Sequence, residues 1–268
     1  MIVKTFFLNL LSLLSLLSLI IPIKRLSVLI IFMLLSANSF ASPPLAVAWN
    51  ERPPYQYLNN GKEAGERLMR VKNIFNKTGI SFVFVQEPPK RIWTKYAAGI
   101  KNYCSFDWYR LPEREELVQF SLPIERNPSY SVLTNLESLS KVKLHSNLAS
   151  LLSDPTLTLG LVDSASYGTE LENMIRNSRN KLERHNVLPV TMARMIGANR
   201  ASFMLIEKVT WDFLKNSDVY FKQTTIIDID GVPKGLDSYI VCSKDVTKEK
   251  MLKINEAIRK LTPVPTTK

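Results

Sequence analysis

The sequence predicts an α/β protein made of two units, each a mostly parallel sheet with helices on its faces. Short β-branched and aromatic runs alternate with stretches of helical period, which is the pattern of strands joined by crossover helices. The alternation stops in a polar stretch at 135–147 and then starts again. The 268 residues suffice to bury a core in one large domain or two smaller ones, and neither glycine nor proline is in excess. Disordered and collagen-like classes therefore drop out.

Residues 1–41 contain no acidic residue, two apolar runs at 6–23 and 26–35, and the pair Lys24-Arg25 between them. The second half reads as an export signal: a charged start, the apolar core LSVLIIFMLL, and the small residues Ser39 and Ala41 around Phe40, with cleavage expected after Ala41. The first run is long enough to span a bilayer, so a retained anchor facing the periplasm is the alternative. A start codon downstream of Met1 is another. Loss of Lys4, Lys24 and Arg25 with the segment leaves a chain that is still basic, from a full-length net charge of +11. The basic residues are scattered, and an exported protein does not meet its genome, so nucleic acid is not expected as a partner.

Residues 45–49 (LAVAW) form a buried strand that runs into a proline-punctuated loop containing Arg52 and Tyr55, and 59–61 (NNG) is a turn. After Gly65, Leu68, Val71, Ile74 and Phe75 share one face of a helix that Gly79 stops. Residues 80–85 are a strand, 91–98 a helix carrying Ile92, Trp93 and Tyr96, and 102–106 another strand. The most specific stretch follows at 104–124, CSFDWYRLPEREELVQFSLPI, with a strand end, two aromatics, a Pro-Glu-Arg turn and the tetrapeptide FSLP.

Residues 129–134 are a strand, after which the chain crosses to the second unit. There 157–162 is a strand and 163–168 a loop of small residues, and Thr169 opens a helix with Glu172 three residues on, the pattern of a capping box. A loop before a helix N-terminus offers free N–H groups to an anion. A short strand at 187–190, a helix at 191–197, a buried strand at 201–206 ending at Glu207 and a helix at 209–214 come next. Strands at 225–229 and 238–242 and a final helix at 247–261 complete the chain.

In open sheets of this kind ligands gather outside the carboxyl ends of the strands, where the loops 49–57, 88–93 and 108–114 converge. Arg114 there can offer a guanidinium fork to a carboxylate, the alternative being an ion pair with Glu113, Glu115 or Glu116. Glu207 suits a cationic ligand group, or simply opens the next helix. Trp49, Tyr55, Trp93 and Trp108 either stack on a ligand or belong to the core. Cys104 and Cys242 each end an apolar run, and in an exported protein they are either a disulfide or two buried thiols. There is no CxxC pair, and His145 and His185 lie far apart, so no metal site is expected.

Taken together, these features resemble the bacterial extracellular solute-binding proteins of family 3, the periplasmic amino-acid-binding proteins. Leu111-Pro112-Glu113-Arg114 and FSLPI at 120–124 stand where the family has Thr-Pro-Glu-Arg and Phe-Ser-x-Pro-Tyr. Ser164-Ala165-Ser166-Tyr167-Gly168 matches its Gly-Ser-Ser-Tyr-Gly-like loop, and Asn199-Arg200-Ala201-Ser202 with Glu207 five residues on matches its Gly-Arg-Ala-Asp segment and following acid.

The resemblance implies a two-lobe fold of the type II periplasmic binding proteins with a hinge, the first lobe at 42–133 and 232–268 and the second at 134–231. It implies that Arg114 binds a ligand α-carboxylate, that Ser164, Ser166 and Tyr167 contact the same group, and that Glu207 takes the α-ammonium. Ser202 replaces the family's aspartate. Asp107, Trp108 and Tyr109 replace a customary Gly and Thr, which crowds the pocket, adds a carboxylate and makes a standard α-amino acid a poorer fit. With Trp49 and Tyr55 these residues form the candidate ligand set. The implied function is capture of a small amino-acid-like or carboxylate-bearing solute in the periplasm by a cofactor-free monomer serving an ABC-type permease. A dehydratase-like enzyme using Glu207 or Asp107 as acid/base and a ligand-sensing accessory protein are the alternatives. No nucleophile elbow, phosphate loop or His-acid pairing favours chemistry.

Overall fold

The computed structural model describes residues 43–163 and 165–261, so the export signal expected at 1–41 and the candidate Ser164 lie outside the described residues. From Pro44 onward the chain forms one compact unit. Its first part runs β1 (Leu45–Trp49), a hairpin of β2 (Tyr57–Asn59) and β3 (Lys62–Ala64), α1 (Glu66–Thr78), β4 (Phe82–Gln86), α2 (Pro89–Ala97), β5 (Tyr103–Tyr109), the single turn α3 (Pro112–Glu115) and β6 (Val118–Arg126). The middle runs β7 (Tyr130–Asn135), α4 (Leu139–Val142), α5 (Leu148–Leu152), β8 (Thr158–Val162), α6 (Thr169–Arg176), β9 (Lys181–His185), α7 (Pro189–Gly197), β10 (Phe203–Glu207) and α8 (Lys208–Leu214). A 3-10 turn at Val219–Gln223 leads to β11 (Thr224–Ile227), β12 (Asp237–Ser243) and α9 (Lys248–Leu261).

Two five-stranded sheets result, with orders β4-β1-β5-β12-β6 and β11-β7-β10-β8-β9. In the first, β4, β1 and β5 are parallel, while β12 returns from the end of the chain antiparallel to β5 and β6. In the second, β10, β8 and β9 are parallel and β7 runs antiparallel to β10 and β11.

Both faces of each sheet are covered, and the period of two along a strand sorts its residues between them. Leu45, Val47 and Trp49 join one core with Leu68, Phe75 and Ile254, whereas Ala48 faces a second core with Ile92 and Tyr96. In β10, Phe203 and Leu205 face one core while Met204 and Ile206 face another. Cys104 and Cys242 stand opposite each other in the β5–β12 register and are bonded to one another.

Sequence and structure part at several elements. β7 pairs with β10 and β11, so the chain changes sheets before Tyr130 and not after residue 133. The strand expected at 187–190 is absent. Pro189 instead starts α7, where its fixed φ and missing N–H suit the first helical turn, and the strand lies earlier as β9, whose charged sequence KLERH fits the edge of a sheet. The capping box does not form because Gly168 takes the cap position, and Glu172 Oε1 accepts the Tyr167 N–H at 3.2 Å. Residues 120–123 lie inside β6, where Pro123 is tolerated because β6 is an edge strand.

The two crossings between the sheets run side by side. Asn127 N–H donates to Leu236 O at 2.9 Å, and a Cβ on Gly235 would stand 1.8 Å from Asn127 O. That neighbour is backbone and cannot swing aside, so Gly235→Ala should cost about 1–3 kcal/mol, read as a melting temperature lower by several degrees. An unchanged melting temperature would mean that the crossings separate freely.

Candidate functional site

The carboxyl ends of both sheets border a cavity of about 110 Å³. Its construction begins at β5. Tyr239 pairs with Trp108 and Ile240 with Phe106, so Asp107 is the extra residue of a bulge, with φ 70, a left-handed conformation that aspartate tolerates. The bulge turns the Asp107 carboxylate toward three donors: Arg52 Nη1 at 2.8 Å, Gln56 Nε2 at 3.2 Å and Arg67 Nη1.

Arg67 is held by the start of α1. Gly65 lets the backbone of Tyr55 approach the helix, since a Cβ there would lie 2.3 Å from Tyr55 O, and that oxygen accepts the N–H of Arg67 at 3.0 Å. The Arg67 side chain has no solvent exposure and also donates to Glu125 Oε1 at 3.1 Å and Asn127 Oδ1 at 2.9 Å. The Tyr55 ring lies 4.2 Å from the Arg67 guanidinium and 4.9 Å from that of Arg52.

Arg52 continues the chain of charge, because its Nη2 donates to Glu207 Oε1 at the end of β10. A line of alternating charge, Arg67, Asp107, Arg52, Glu207, thus passes from the first sheet's loops to the second sheet. Burial would raise the Asp107 carboxyl, but the two guanidiniums outweigh it and hold it below the usual carboxylate range. The lobes also meet at Lys90–Asp163, 2.5 Å, and at Tyr57–Phe213, ring centroids 5.1 Å apart.

Arg114 sits differently. Its Nη1 donates to Tyr109 O at 3.0 Å, and its guanidinium lies 4.5 Å from the Trp93 ring and 5.5 Å from that of Trp108. Glu115 pairs with Arg110 instead, and among the described residues no carboxylate is within ion-pair distance of Arg114. Burial pushes its pKa down to about 10, with Glu113 acting in the opposite direction, so the group stays charged at neutral pH without an ion-pair partner.

Of the candidate residues, Asp107, Trp108, Tyr109, Arg114, Ser166, Tyr167 and Glu207 all line the cavity. Ser166 Oγ accepts the Gly168 N–H at 3.4 Å, and the Tyr167 hydroxyl accepts the Val162 N–H at 3.1 Å. Trp108 Nε1 donates to Ser105 Oγ at 2.8 Å, which fixes the indole. Trp49 belongs to the core of the first sheet, and Tyr55 stands behind the arginines.

Sequence reasoning missed Arg52, Arg67 and Tyr130. For Arg67 a signal existed, since it falls at helical spacing with Val71, Ile74 and Thr78 on the buried face of α1. Among the described residues no group of three or more His, Cys, Asp and Glu could hold a metal, and no helix is long and apolar enough to cross a membrane.

No protein-family model and no curated protein matches the chain. Solved structures do. An amino acid ABC transporter substrate-binding protein from Streptococcus pneumoniae, bound to L-arginine, superposes with TM-score 0.64 at 18% identity, over 81% of this chain and 88% of that one. A chain from the glutathione import system of Streptococcus mutans gives 0.66 at 15%, over 81% and 88%. An ancestral amino-acid-binding protein described as a precursor of cyclohexadienyl dehydratase gives 0.62 at 16%, over 81% and 88%. Identities this low speak for the fold. The chain has the two-lobe α/β fold of the periplasmic binding proteins.

Proposed function

We propose that the protein is an exported solute-binding protein that takes a small carboxylate-bearing solute between its lobes and delivers it to an ABC-type importer. The observation that carries this reading is Arg114: a charged, partly buried guanidinium in the cavity, framed by two indoles and without a carboxylate partner. A ligand carboxylate would supply the missing charge in bidentate geometry. Structural neighbours that bind amino acids for ABC transporters support the same reading.

Capture follows from contacts distributed over both lobes. Arg114 and Trp108 come from the first, and Ser166, Tyr167 and the end of β10 from the second. Only the closed arrangement offers all of them at once, so a ligand favours closure by its differential affinity for that state. An exported monomer working in the periplasm suits this role. The neighbour that preceded a dehydratase raises catalysis as the rival. Against it, Asp107 and Glu207 are both bound by Arg52, which leaves neither as a ready general acid or base.

Arg114→Ala is expected to weaken binding of a carboxylate ligand about 30-fold or more, on the order of 2 kcal/mol. Titration calorimetry with ligands found by a thermal-shift screen of small organic and amino acids reads this directly. Affinity unchanged in a folded variant would remove Arg114 from the site.

A further inference from the structure

We propose that Arg52 is a built-in cation occupying the place a ligand ammonium would need, so that the site selects carboxylates lacking an α-amine. The inference rests on the reading of Arg114 as the carboxylate subsite and concerns the opposite end of the same cavity.

An ammonium entering a buried site needs a carboxylate to meet it. The acids that line the cavity are Asp107 and Glu207, and Arg52 holds both, one on each terminal nitrogen. Both oxygens of Asp107 are already engaged, Oδ2 by Arg52 and Gln56 and Oδ1 by Arg67. The second oxygen of Glu207 faces the Thr210 hydroxyl at 3.5 Å. The Glu207 side chain is 5% exposed and that of Arg52 18%. Because Arg52 holds Oε1, a ligand amine at Glu207 either displaces that guanidinium or meets Oε2 alone, in a mostly buried place beside a like charge.

Arg52 is not free to leave. Asp107 is aimed at it by the β5 bulge, and the Tyr55 ring supports the guanidinium from one side at 4.9 Å. Arg52 and Arg67 together balance Asp107 and Glu207, which leaves Arg114 as the charge of the cavity wall without an ion-pair partner among the described residues. What the cavity lacks is one anion and no cation. Its remaining wall is largely apolar and aromatic, including Trp108, Tyr130, Leu188, Met204 and Ile206. The geometry therefore points to small monocarboxylic acids with an apolar or aromatic body.

Matched ligand pairs test this by calorimetry on the purified protein: 3-phenylpropanoate against L-phenylalanine, and 4-methylpentanoate against L-leucine. The wild type should bind the amine-free member of a pair at least 10-fold more tightly. Arg52→Met, which keeps bulk and frees Glu207, should reverse or abolish that preference, while Arg52→Lys, which keeps the cation, should retain it. If Arg52→Met does not fold, the wild-type pairs and Arg52→Lys still decide. Amino acids bound as well as or better than their amine-free partners, with Arg114→Ala abolishing both, would overturn this inference and leave the carboxylate subsite standing. Binding of neither member by the folded wild type would overturn both.

Discussion

Arg67→Met should lower folding stability by about 3–5 kcal/mol, the range expected when one partner of a buried ion pair is removed. The side chain has no exposure, and its loss leaves Asp107 with Arg52 as sole cation and leaves Asn127 Oδ1 without its 2.9 Å donor. The bulged Asp107 is then a buried carboxylate with half its compensation. Urea denaturation of wild type and variant reads the difference, and a loss under about 1 kcal/mol would mean that water enters the site and replaces the guanidinium.

The pH dependence carries a sign that checks the same network. Asp107 titrates below its unfolded value of about 3.9, so its contribution is fully present above that pH and is lost as pH falls through the lower folded value. The wild type should therefore lose stability below about pH 4 more steeply than Arg67→Met, in which Asp107 is held down less.

Replacing both Cys104 and Cys242 by alanine should cost about 4–5 kcal/mol, with a melting temperature lower by roughly 10–20 °C. The bond closes a loop across a sequence separation of 138 residues, and its loss frees that loop in the unfolded chain. Both sulfur-bearing residues are fully buried, so reductant should act on the folded protein only through unfolding. A melting temperature insensitive to the double substitution would show that the antiparallel β5–β12 pairing alone sets the stability of that seam.

What was legible in the sequence follows from the range over which each feature is determined. β1, α1 and α9 announce themselves because their apolar period is local and strong. The place of Arg114 at the cavity wall was legible because a strand, a proline turn and an arginine stand in one short stretch. The partnership of Arg52 with Glu207 was not, since the two are 155 residues apart and meet only when the lobes assemble. Glu207 alone suggested a site for a cation, and the protein's own cation fills it. The bulge at Asp107 was equally hidden, because a left-handed aspartate in a strand depends on the register of β12, which arrives from the far end of the chain. β9 was missed because edge strands carry charge for their own protection and so lose the apolar alternation that marks a strand.

The side-by-side crossings at Asn127 and Leu236 divide the molecule into a host and an insert. Everything from β7 to β11 is a continuous insert whose two ends enter and leave the first lobe side by side, where Arg126 and Asn127 are hydrogen-bonded to Asp237 and Leu236. The cysteine bond flanks that insert and belongs wholly to the sheet it interrupts. The host sheet thus keeps its covalent frame whatever the insert contains, as in domains that accept insertions where their ends lie close together. The second sheet's share of the cavity wall thus rides on one continuous segment, while Arg114, Arg52 and the cysteine-bonded seam lie outside it.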